Sequence, residues 1–153
     1  TGQGQFNLPH MITMGPDGNL YVVDGANFRI QKFTPDGQFL MAFGAVGRQT
    51  GQFSRPKGVA VDREGRIFVV DAAFGNVQIF DPEGRLLLFI GTRGEAGGPA
   101  EFLLPAGVAV DETGRIYVVA QYFRKLEIFR PAGVPARSWT TATAETKPPK
   151  TGK

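Results

Sequence analysis

Three segments of this 153-residue sequence repeat one another. They read GQFNLPHMITMGPDGNLYVVD from Gly4, GQFSRPKGVAVDREGRIFVVD from Gly51 and PAEFLLPAGVAVDETGRIYVVA from Pro99. Phe6, Phe53 and Phe102 correspond, as do Pro9, Pro56 and Pro105, and Gly18, Gly65 and Gly114 stand 47 and 49 residues apart. A repeat of this length is one supersecondary unit copied along the chain, and it buries its apolar surface only by stacking on its neighbours.

Each unit reads as four short strands. The first, such as Gly58-Val59-Ala60-Val61, carries small residues suited to a crowded hub. The second is an apolar run without strict alternation: Leu20 to Val23, Ile67 to Val70 and Ile116 to Val119. A strand buried on both faces has that composition. The third ends at Phe33, Phe80 and Phe129; the fourth, outer strand is Phe39–Phe43, Leu86–Ile90 and Ala136–Thr140. A period in the high forties with four strands per unit matches the blades of an all-β propeller, which run to about 40–50 residues.

The punctuation agrees. The chain holds 21 glycines and 11 prolines. Pro16-Asp17-Gly18, Pro35-Asp36-Gly37 and Pro82-Glu83-Gly84 join a proline-fixed φ to a glycine that can take φ > 0, as a type I turn closed through a glycine bulge requires.

The stretch YVVDGANFRIQKF, Tyr21 to Phe33, closely resembles the signature of the NHL repeat: aromatic-Val-x-Asp, a gap, Asn-x-Arg-Ile-Gln and a final aromatic. The lead-in GQF…P-x-GVAVD resembles the rest of that repeat, and the resemblance covers residues 4–141. It implies three four-stranded antiparallel blades, at about 4–50, 51–98 and 99–141, or half of a six-bladed NHL-type β-propeller. The copies differ. Asp24, Asn27 and Arg29 of the first align with Asp71, Phe74 and Asn76 of the second and with Ala120, Phe123 and Lys125 of the third. Asp24, Asn27, Arg29 and Asp71 read as structural, pinning a turn through side-chain to backbone hydrogen bonds. Three blades leave two broad apolar faces in need of cover. Either two copies close the ring about a twofold axis, or the remaining blades come from a longer parent chain or another subunit.

With no cysteine, disulfides, thiolate metal sites and a cysteine nucleophile are excluded. The longest apolar run, Leu86 to Ile90, falls far short of the ~20 residues of a membrane span. The net charge of +3 sits in the last twenty residues, where Arg137, Lys147, Lys150 and Lys153 face Glu145 alone. Residues 142–153 therefore read as an extended or disordered basic tail. A start at Thr1 instead of Met fits a processed product or an excised segment, and with the bacterial character of the repeats it points to an extracytoplasmic, periplasmic or secreted location.

Strand order places the starts of the inner strands and the second-to-third strand turns at one end of each blade. That end carries the long connections Ala45–Gln52 and Thr92–Glu101, and long loops on a rigid scaffold are where recognition sits. The candidate binding face is His10, Phe28, Lys57, Phe74, Gln121, Tyr122, Phe123 and Arg124. Its aromatics either meet a partner, as hot-spot residues do, or pack between blades. The leading expectation is a non-catalytic binding or scaffold module for protein partners or assembly, without a cofactor. One alternative is a lyase- or hydrolase-like propeller enzyme whose metal ligands lie partly in a missing half. His10 is the single histidine, and one imidazole does not make a zinc site. The other alternative is single-stranded RNA binding on the long-loop face. The repeats are balanced in charge block by block, with three basic and three acidic residues over 1–50, which disfavours phosphate binding.

Overall fold

The structure, a computed structural model, describes residues 2–132. Blade 1 is β1 (Pro9–Met14), β2 (Leu20–Asp24), β3 (Arg29–Phe33) and β4 (Phe39–Phe43), paired antiparallel in chain order. Blade 2 repeats this as β5 (Pro56–Val61), β6 (Ile67–Asp71), β7 (Asn76–Phe80) and β8 (Leu86–Ile90). The connection that follows holds a two-residue parallel ladder, β9 (Thr92–Arg93) on β10 (Glu101–Phe102), where the sequence suggested only a loop. Blade 3 contributes β11 (Pro105–Val110), β12 (Ile116–Ala120) and β13 (Lys125–Phe129). The outer strand expected at Ala136–Thr140 and the tail at 142–153 lie outside the described residues.

The turns form as their residues dictate. Gly18, Gly37 and Gly84 take φ of 76°, 83° and 80°. Each donates its N–H to the carbonyl three residues back, closing its hairpin at 2.9–3.0 Å.

The inner strands β1, β5 and β11 lie side by side at the hub, and the blades stack face on face. Alternate residues of one strand point to opposite faces. Tyr21, Val23 and Ile30 of blade 1 therefore meet Val59, Ile67 and Val69 of blade 2 in one core. Phe68, Val70, Val77 and Ile79, on the other face of blade 2, meet Val108, Ile116 and Val118 of blade 3 in a second. β6 is buried throughout, as expected of a strand covered on both faces, whereas β12 alternates because only one face of blade 3 is covered.

Phe53 and Phe102 plug these two cores and are fully buried. Their fit sets the residue before each long connection: a Cβ at Gly44 would overlap the Phe53 ring, and one at Gly91 the Phe102 ring. Both glycines also hold positive φ, of 95° and 85°.

Candidate functional site

A bulge recurs at the start of every inner strand. Register slips between Pro9 and Met11, between Pro56 and Gly58, and between Pro105 and Gly107. The extra residue in each case is His10, Lys57 or Ala106. Bulges re-aim side chains at the rims of sheets, and here they set His10 and Lys57 at the hub mouth on the long-loop end. His10 lies against Gly25, where a Cβ would collide with the imidazole. Its pKa is lowered by partial burial first, then by the charges of Lys57 and Arg55.

The turns beside this mouth are pinned differently in the three blades. Asp24 is buried, and its Oδ2 accepts from Asn27 at 2.8 Å, Arg29 Nε at 2.8 Å and Gln31 at 2.9 Å. Its Oδ1 accepts from the Asn7 amide at 2.7 Å. Burial pushes this carboxyl up, but the bonds from Asn7, Asn27, Arg29 and Gln31 outweigh it and hold the pKa below the ordinary value. In blade 2 Asp71 accepts only from backbone: Ser54 and Arg55 on Oδ2, Ala73 and Phe74 on Oδ1, all at 2.8–3.0 Å. The third blade has Ala120 there, and its turn is held by the Gln121 amide on the Leu104 carbonyl at 3.1 Å.

Those turns carry the exposed side chains. Their fifth residue is left-handed in every copy: Phe28 at φ 55°, Gly75 at 65° and Arg124 at 50°. Phe28 is half-buried against the blade 1–blade 2 core. Tyr122 is 63% exposed, and its ring stands perpendicular to that of Phe123 at 5.2 Å. Phe123 packs over Gly97, with the Lys125 ammonium 5.3 Å from its ring centroid. Gln121 and Arg124 are exposed beside them.

Phe74 lies elsewhere on the same end, in a cleft of about 210 Å³ shared with Arg48, Gln49, Thr50, Asn76 and Phe89. The Asn76 Oδ1 atom is buried with no hydrogen-bond partner. The sequence singled out Phe74 and the long connection holding Arg48 to Thr50; Asn76 read only as the counterpart of Arg29, and Phe89 only as an outer-strand position. The face is thus in three parts: the His10–Lys57 mouth, the Phe74 cleft and the Tyr122–Phe123–Arg124 turn.

The opposite end is closed on itself. Asp62, Asp81 and Asp111 each cap the amides of their own turn and pair with Arg66, Arg85 and Arg115. Arg63 reaches across from blade 2 to Glu112 of blade 3 at 3.0 Å. Among the described residues no three His, Asp or Glu side chains gather as a metal site would need, and no helix is long and apolar enough to cross a membrane.

Four-stranded antiparallel blades stacked around adjacent inner strands define a β-propeller. Residues 6–33 match the NHL repeat, and residues 62–130 match DUF5128, described as a 6-bladed beta-propeller. The chain thus carries an NHL repeat within a β-propeller fold. No curated protein matches it. Among solved structures it is similar to a protein of unknown function from Bacteroides thetaiotaomicron, at 20% identity and TM-score 0.61 over 73% of this chain and 32% of that one. It is similar to virginiamycin B lyase from Staphylococcus aureus at 14% identity and TM-score 0.54, over 80% and 41%. A Bacteroides fragilis protein whose name assigns it to export matches at 17% identity and TM-score 0.59, over 77% and 31%. At these identities the likeness is one of fold, and the chain spans only about a third to two fifths of the length of each.

Proposed function

We propose that this chain is a non-catalytic binding module that takes a protein or peptide partner on its long-loop end. The observation that carries this reading is the cleft that Phe74 forms with Arg48, Gln49, Thr50, Asn76 and Phe89. Phe74 and Phe89 give the same cleft apolar walls, and Arg48 adds a cation at its lip. An apolar concavity with a few convergent polar groups is how a recognition site is built. The exposed Tyr122 and Arg124 extend the face with residue types that anchor protein partners. At the other end the carboxylates and guanidiniums satisfy one another, which leaves fewer groups for a partner. The exported Bacteroides fragilis neighbour supports an extracytoplasmic setting.

The test is a peptide-display selection on the immobilised chain, followed by affinities for variants. Phe74→Ala and Tyr122→Ala are expected to weaken the selected peptides at least about tenfold, or 1.4 kcal/mol. Asp36→Ala, in a tight turn at the opposite end, is expected to leave them unchanged. Peptides that ignore Phe74 and Tyr122 but depend on Asp36 would overturn the assignment.

A further inference from the structure

We infer that a second copy of this chain covers both bare blade faces, blade 1 of each copy seating on blade 3 of the other to close one six-bladed ring. The inference is independent of what the long-loop end binds.

The chain contains its own template for that contact. At each internal junction, one blade offers the residues aligned with Tyr21, Val23 and Ile30, and the next blade covers them with the residues aligned with Val59, Ile67 and Val69. Blade 3 repeats the first set as Tyr117, Val119 and Leu126, and among the described residues no blade lies on it. Val119 is 47% exposed, against 0% for its counterparts Val23 and Val70. Blade 1 repeats the covering set as Ile12, Leu20 and Val22. Ile12 is 57% exposed, against 1% for Val59 and 6% for Val108. Phe6 tells the same story: it is 42% exposed, whereas its equivalents Phe53 and Phe102 are fully buried in the junctions they plug. Each bare face is therefore the complement of the other, and none of these six face residues carries a charge.

Closure follows from geometry. Three blades of a six-bladed ring subtend half a turn. The contact from blade 3 to the partner's blade 1 and its reciprocal are then related by a twofold axis, and no face is left over. The head-to-tail arrangement also puts both long-loop ends on the same side of the ring. His10 of one copy then follows Ala106 of the other around a single mouth.

The experiment is native mass spectrometry and sedimentation of the full chain over a wide concentration range, with Val119→Asp and Ile12→Asp made singly and mixed. The wild type is expected at twice the 16.5 kDa chain mass. Each variant is expected to lose the dimer while keeping its β circular dichroism, because both side chains are exposed in the single chain. A mixture of the two variants leaves one junction free of both substitutions, so the mixed pair is expected to associate more tightly than either variant with itself. Isotope labelling of one chain identifies the mixed species. A wild type monomeric throughout would overturn the inference. So would a dimer that survives Ile12→Asp, which would indicate a back-to-back contact of two blade 3 faces, and so would a mixture no tighter than its components.

Discussion

Glu127 accepts a hydrogen bond from the Ala100 amide at 2.9 Å. Gln31 does the same for Gly4 at 3.0 Å and Gln78 for Gly51 at 2.9 Å, so the third strand of each blade holds the segment entering it by one shared bond. The two glutamines also donate, to the carbonyls of Gln5 and Gln52 at 2.8 and 2.9 Å. A carboxylate has nothing to donate. In blade 3 Lys125, aligned with Arg29, pairs with Glu127 and donates to the carbonyl of Gly98 at 3.0 Å, as Arg29 does to that of Gly2 at 2.8 Å. Glu127→Ala strips both the amide and the ammonium of their acceptor, and about 2 kcal/mol of stability is expected to go with it. Glu127→Gln keeps the acceptor for Ala100 and should cost less. Urea midpoints at constant slope give the comparison.

The same alignment exposes a strained alanine. Gly4 and Gly51 hold φ of 73° and 82°, and Ala100 occupies their place at 56°. A Cβ in the left-handed region costs about 1–2 kcal/mol, partly offset by the larger chain entropy that glycine loses on folding. Ala100→Gly is therefore expected to stabilise the chain by roughly 0.5 kcal/mol. A thermal midpoint that falls would contradict it.

Asp24 ties blade 1 to acid. Its folded pKa lies below the ordinary value, so its contribution to stability is complete above the unfolded carboxyl value, about 3.9. That contribution is lost as pH falls toward the lower folded value. Asp24→Asn is expected to be less stable at pH 7 and to show a shallower loss of stability below about pH 4 than the wild type. Parallel acid denaturation profiles for the two proteins would remove Asp24 as the cause.

Arg124 separates recognition from folding. Arg124→Gly relieves its φ of 50°, whereas Arg124→Ala keeps a Cβ there. Stability is expected to rise in the first and change little in the second. Affinity for a peptide selected on the wild type is expected to fall in both. Titration calorimetry beside a melt reads the two effects separately.

Most of the scaffold was legible in the sequence because its signals are local and repeated. The outer strands at Phe39–Phe43 and Leu86–Ile90 fall where apolar runs meet Pro-x-Gly turns. The β9–β10 ladder was not legible, since two residues of parallel pairing carry no period. The contrast between Ile12 and Val59 was legible only from the blade count, which leaves an uncovered face at each end of three blades. The two align residue for residue, and what sets their exposure is whether a neighbouring blade is present, which is a property of stacking and not of composition. The candidate face was legible only as a set of loops: Phe74 and Arg48 could be named, but their joining with Asn76 in one cleft depends on how the Ala45–Gln52 connection folds back on blade 2.

The most direct test of the recognition claim is amide hydrogen exchange of the chain with and without a display-selected peptide. New protection is expected in residues 45–52, 72–76 and 121–124, with the turns at 16–18, 35–37 and 82–84 unchanged. Protection confined to those tight turns, with the long-loop end exchanging as before, would contradict it.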